Sequence, residues 1–297
     1  MLRRLARWRT PSPRVRGIAL VVAAVVFVGG VVVSLDALEL RIADVVWWPL
    51  VVVLVLGTPA TIAVNAAELR AMGACLEPVR TIGWARAVRV VVLATAANLL
   101  PLPGGAMVRI HALRDPGRGP AGGVGAATSV TAVAALLWVG TAVLIAGLAG
   151  VTAAPLVGSL GMLAGAAAVV ISLGGLRAIA GGWRPRAVTR LVAVEVATTL
   201  VHAARLYLVL VALDVAVVPT QVLVLGAASP VAAAAGVFPA GLGLAELLSA
   251  LLAPLAALSA AAGLTATALA RVVGLLGTGL LALPLGIRDA ATSTELR

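Results

Sequence analysis

Six side chains in an otherwise apolar chain are suited to handling charge: Arg109, Glu195, His202, Arg205, Glu246 and Arg271. Glu195 and His202 stand seven residues apart, two helical turns, and Arg205 follows three later, so one helix face would carry all three. A guanidinium presents a planar fork of donors that matches phosphate oxygens. Glu195 and Glu246 would balance those cations or carry protons, and a histidine titrates near neutrality and could relay one. The same residues also admit a plainer account. A lone charge at a helix centre costs about 2.5–3.5 kcal/mol on insertion scales, so such groups usually pair or face water. Two glutamates and two arginines at membrane depth could simply lock helices together, His202 could be a hydrogen-bonded packing residue, and Arg109 an interfacial arginine.

What would position these groups are two helix breaks. The first is Asn98-Leu-Leu-Pro-Leu-Pro-Gly-Gly-Ala-Met-Val-Arg109, in which Pro101, Pro103, Gly104 and Gly105 end an apolar run. Proline removes a backbone donor and clashes with the preceding turn, and glycine adds no stiffness. The second is Gly236-Val-Phe-Pro-Ala-Gly-Leu-Gly-Leu-Ala-Glu246, broken at Pro239, Gly241 and Gly243. Irregular backbone at membrane depth is tolerated only where protein or a water-filled cavity receives its freed polar groups.

The 297 residues are 62% hydrophobic, and the mean hydropathy is +1.14. Several charge-free runs exceed 18 residues, which predicts an all-α, polytopic integral membrane protein. The net charge of +11 comes from arginines in short loops between apolar runs, so it points to topology and not to nucleic acid. Lysine is absent, which excludes a lysine-bearing phosphate loop. The single cysteine, Cys75, has no disulfide partner, and with His111 and His202 it forms no metal-binding pattern. There is no His-Glu-x-x-His, no paired-aspartate site and no serine beside a plausible base. No cofactor, no metal and no enzymatic activity are expected.

Taken in order, residues 1–16 are a basic, cytoplasmic N-terminus. Gly17–Leu35 is read as an uncleaved first span rather than a signal peptide. A second span opens at Trp47 and Trp48, placed as interfacial aromatics, and runs to about Ala66, with a kink expected at Pro59. A first hairpin occupies 87–111, and Gly122–Ala149 completes a first membrane repeat over 17–149. The second repeat, 150–287, holds spans at Leu156–Leu176, Leu191–Leu213 and Gly263–Ile287 and a hairpin at 221–252. Residues 288–297 are a cytoplasmic tail. The expectation is about six full spans plus two broken, re-entrant hairpins.

Arginine placement supports the hairpins. If each returns to the side it came from, 19 of the 22 arginines lie in cytoplasmic segments, with only Arg41 outside and Arg205 and Arg271 within spans. Length agrees for the first: the 14 residues of Ala87–Leu100 make about 21 Å of helix against a core of about 30 Å. Gln221–Phe238 is nearly long enough to cross, so two short crossing helices remain an alternative there. The halves then enter from opposite faces, an inverted-topology repeat of the kind that builds midplane sites from discontinuous helices.

On these motifs the chain resembles the membrane region of the lysylphosphatidylglycerol synthase family, the flippase-like domain family. The resemblance rests on the Asn98–Arg109 break, on Pro239-Ala-Gly-Leu-Gly-Leu-Ala-Glu246, and on Arg271 in a late helix. It implies a stand-alone membrane domain without an aminoacyl-transferase domain. It further implies a translocase in the cell membrane that moves an anionic, aminoacylated or polyprenyl-linked lipid between leaflets. The expected head-group path is Arg109, Arg205 and Arg271 on phosphate, with Glu195, Glu246 and His202 beside them. The alternative is a non-transporting partner that presents lipid to a separately encoded synthase or glycosyltransferase.

Overall fold

The computed structural model describes residue 36 and residues 44–76, 82–98, 104–114, 119–180, 184–235 and 243–294. The expected first span, the prolines of the first break and Pro239 and Gly241 of the second lie outside the described residues. Everything described is helix or short connection, with no strand among the described residues. Five helices are long and apolar enough to cross a membrane: Trp47–Leu76 (α1), Gly123–Gly150 within α4 (Gly119–Gly150), Pro155–Ile179 (α5), Pro185–Ala212 (α6), and Ala260–Ala282 within α10 (Ala260–Thr294). By helix length and composition the chain fits a multi-spanning membrane protein.

The shorter helices sit at the two breaks. Trp84–Ala97 (α2) and Gly104–Leu113 (α3) flank the first. The second is more fragmented than its sequence suggests. Pro219–Gly226 (α7) and Ala228–Ala235 (α8) part at Ala227, and Leu244–Leu252 (α9) follows, ending in a 3₁₀ turn at Ala253–Ala256. Gly243 begins α9 with φ 79°, a left-handed conformation that an L side chain rarely adopts.

α1 runs ten residues beyond its expected end at Ala66, and this carries Glu68 and Arg70 into the bundle. Near its start the helix widens into a π turn at Val53–Gly57, just before Pro59. Proline cannot donate to the carbonyl four residues back, and an i→i+5 turn accommodates that loss. The expected kink is thus taken up as a π-bulge. The Thr58 hydroxyl donates back to Val53 O at 3.3 Å.

Polar ties show how the helices run. At one end of the bundle Val46 N–H donates to Ala212 O (2.9 Å). At the other, Arg184 Nη1–H donates to Cys75 O (3.2 Å), so α1 and α6 are antiparallel. At that second end Arg70 Nε–H donates to Ile82 O (2.8 Å) and its guanidinium lies 4.6 Å over the Trp84 ring. Apolar packing divides the same way. One core cluster joins Leu69, Met72, Val91, Leu137, Leu176 and Leu191. The other joins Val53, Leu206, Leu210, Val222, Leu225 and Ala266. The first break packs into the former and the second into the latter.

Outward faces are apolar, as a lipid-facing surface requires. On α5, Leu156 is 74% exposed and Leu163 69%, and that helix packs chiefly on α4. Trp47 and Trp48 stand more than half exposed at their end of α1, where an aromatic belt would place them.

At the first break the Asn98 side chain accepts a hydrogen bond from Gly105 N–H at 3.0 Å. A Cβ on Gly105 would collide with Asn98 Oδ1 and with Ala94 O, so α2 and α3 approach this closely only because residue 105 is glycine. Replacing Gly105 with valine is expected to force the two helices apart and leave Gly105's donor without its partner, at a cost of about 1–3 kcal/mol. The check is the temperature at which detergent-purified protein loses its monodisperse chromatographic peak. An unchanged temperature would mean that the Asn98–Gly105 contact does not hold the break.

Candidate functional site

Three helices of the bundle carry polar stripes along otherwise apolar sequence. On α1 these are Thr58, Thr61, Asn65 and Glu68; on α6, Glu195, Thr198, His202 and Arg205; on α10, Thr267, Arg271 and Thr278. Spacings of three, four and seven put each set on one helical face. Most of these side chains meet around an open cavity of about 270 Å³, with Thr95, Trp138 and Ser229 contributing from α2, α4 and α8. Thr61 lies midway along the 30-residue α1, so the cavity sits at the middle depth of the bundle. Ile62 of one apolar cluster and Leu206 and Leu225 of the other also line it, so it occupies the polar layer between the two cores.

Arg205 dominates the cavity. Its Nη1–H donates to Thr61 Oγ1 (3.0 Å) and its Nη2–H to Ala270 O (3.0 Å). Both acceptors are neutral, and among the described residues no carboxylate pairs with this guanidinium. Its Nε is buried and has no hydrogen-bond partner among the described residues. Two glycines shape its slot: a Cβ on Gly57 would lie 2.9 Å from Arg205 Cγ, and one on Gly274 would strike Nη2.

Arg271 faces the cavity with its charge already balanced. Its Nε lies 2.8 Å from Glu246 Oε1, close enough for an ion pair although the angle falls short of a hydrogen bond. Glu246 is 3% exposed and does not line the cavity. The second break thus brings Glu246 behind Arg271, on α9 against α10.

His202 lines the cavity beside Arg205. Its Nδ1 lies 2.8 Å from Thr198 O; a carbonyl only accepts, so Nδ1 carries the hydrogen, and Nε2 is an acceptor when the ring is neutral. The ring stacks obliquely on Trp138, with centroids 5.6 Å apart at 54°. Trp138 Nε1 is a second buried donor without a partner among the described residues.

Glu195 and Arg109, expected on the same path, belong to a different group. Arg109 Nη1 donates to Glu68 Oε2 at 2.9 Å, an ion pair joining α3 to α1. Glu195 is 1% exposed, and Glu68 and Arg109 are the charged groups near enough to act on it. Neither Glu195 nor Arg109 lines the cavity. The six charged residues therefore divide in two: His202, Arg205 and Arg271 at the cavity with Glu246 behind, and Arg109 and Glu195 around Glu68. Glu68 was missed because the span was ended at Ala66, although its spacing from Thr61 and Asn65 marks it as the next residue of the stripe.

Among the described residues no group of three or more His, Cys, Asp or Glu side chains could hold a metal ion. No family model and no curated protein matches this chain. Its functional reading therefore rests on the site itself.

Removing one member of a buried ion pair strands the other. Glu246→Gln is expected to destabilise the protein by about 3–5 kcal/mol, because Arg271 keeps its charge and loses its counter-ion. The double variant Glu246→Gln/Arg271→Gln should recover a large part of that loss. Thermal unfolding of the two variants in the same detergent checks this; a double variant as unstable as the single one would show that the pair is not energetically coupled.

Proposed function

We propose that this chain is a membrane lipid translocase that receives an anionic lipid head group in the cavity around Arg205 and passes it between leaflets. The observation that carries this reading is the guanidinium of Arg205, held at mid-depth by two neutral oxygens and, among the described residues, by no carboxylate. A cation inside a bundle is costly unless an anion or water accompanies it. An open polar cavity beside it supplies the room, and a phosphate supplies the charge. The resemblance to the flippase-like domain family points the same way. The short lengths of α2, α3, α7, α8 and α9 favour re-entrant hairpins, and the opposite cores they join favour an inverted repeat. With the arginine-rich end facing the cytoplasm, both termini lie there and the protein resides in the cell membrane.

The reading has a direct test in vesicles. Purified protein reconstituted with fluorescent phospholipids is expected to equilibrate them between leaflets, read as the fraction bleached by an impermeant reductant, faster than protein-free vesicles. Arg205→Gln should slow the transfer about ten- to hundredfold, the equivalent of one charge-assisted hydrogen bond of about 1.5–3 kcal/mol. Arg205→Lys, which keeps the charge but not the fork, should fall between. Transfer no faster than in empty vesicles across a panel of anionic, aminoacylated and polyprenyl-linked lipids would sink the proposal. Lipid binding without transfer would favour the presenting partner instead.

A further inference from the structure

Resting on that reading, we infer that the cavity is selective: it accepts a singly charged phosphodiester head group bearing hydroxyls and excludes head groups that carry an amine. The inference begins with charge. The ionisable side chains lining the cavity are Arg205, Arg271 and His202, and none of its described lining residues is a carboxylate. Glu246 is buried behind Arg271 and committed to it at 2.8 Å. An ammonium entering this space would lie beside the Arg205 guanidinium and find no carboxylate among the described lining residues to pair with, and like charges repel strongly where water is scarce.

Hydrogen-bond inventory points the same way. Two residues that line the cavity each carry a buried donor, Arg205 Nε–H and Trp138 Nε1–H, with no partner among the described residues. Buried donors need acceptors, and phosphate oxygens only accept. Thr61, Thr95 and Thr278 also line the cavity; their hydroxyls donate to Gly57 O, Val91 O and Gly274 O, which leaves oxygen lone pairs that can accept from the hydroxyls of a polyol.

Size and net charge narrow the ligand further. Because Glu246 balances Arg271, Arg205 is the cation of the cavity without a carboxylate partner among the described residues, and one negative charge neutralises it. A volume of about 270 Å³ lies just below the roughly 300–1,000 Å³ of sites that enclose drug-sized ligands. That volume admits a phosphate with a small polyol. Of the lipid classes entertained above, the anionic one fits, whereas the aminoacylated class brings an ammonium.

The experiment is a binding competition followed by native mass spectrometry on the detergent-solubilised full chain. The probes are phosphatidylglycerol, phosphatidylethanolamine, an aminoacyl ester of phosphatidylglycerol and soluble glycerol phosphate. Phosphatidylglycerol is expected to bind at least tenfold more tightly than either amine-bearing lipid. Trp138→Phe keeps the ring but deletes the donor, and should weaken phosphatidylglycerol while leaving the amine lipids unchanged. Arg205→Gln should remove the preference. Equal or tighter binding of an amine-bearing lipid overturns the inference, as does an unaltered preference in both variants. Glycerol phosphate binding as tightly as the lipid overturns it too, by making the ligand a soluble ester. The vesicle assay separates the two ideas. Amine-bearing and amine-free lipids moving at the same rate would refute the selectivity and leave the translocase standing, whereas selective binding with no movement would do the reverse.

Discussion

The constraint on which the rest of the structure depends is the burial of Arg205 among apolar helices. A guanidinium cannot be deprotonated in a protein, so its charge must be accommodated where it stands. Thr61 and Ala270 O accept two of its hydrogens from opposite sides, and this ties α6 to α1 and α10 at once. Gly57 and Gly274 clear the space the side chain passes through. Even the π-bulge before Pro59 belongs to this arrangement, since Gly57 closes that turn against the Arg205 stem.

The other charges are arranged in contrast. Arg271 has Glu246 and Arg109 has Glu68, each within 2.9 Å and each joining two helices. Those pairs neutralise themselves and fasten the two breaks: the α3 side of the first to α1, and the α9 side of the second to α10. Buried pairs of this kind add little net stability over apolar packing but penalise any arrangement that separates them. The result is a bundle whose two interrupted elements are pinned by internal charge, around a middle layer where Arg205 has no carboxylate partner among the described residues.

Much of this was legible in sequence, and for a physical reason. Hydropathy over twenty-residue windows identifies spans because the bilayer leaves no alternative to helix. So the described long helices, the interruptions near Asn98 and Ala235, and the interfacial Trp47 and Trp48 could all be read. Arg205, Arg271 and His202 were legible as site candidates because polar groups are rare and costly at that depth. Which carboxylate serves which arginine was not legible, because pairing is set by how helices are rotated against one another. Glu195 shares a helix with His202 and Arg205, yet it belongs with Glu68 on α1. The break at Ala227 was invisible as well, since Gln221–Phe238 contains no glycine pair and its one proline, Pro230, sits in the first turn of α8, where a missing donor costs nothing.

The stripes also explain why a single site can form from helices so distant in sequence. Each of α1, α6 and α10 carries hydroxyls and charges at three- and four-residue spacing, so each has one narrow face that lipid would not tolerate. Three such faces have one low-energy solution, which is to turn toward each other. Small side chains such as Thr, Ser and Gly on those faces do not fill the space between the helices, and the cavity is what remains. Its charge then follows from the pairing. Glu246 neutralises one arginine from behind, no acid among the described residues reaches the other, and the cavity's described lining is left with a net positive charge.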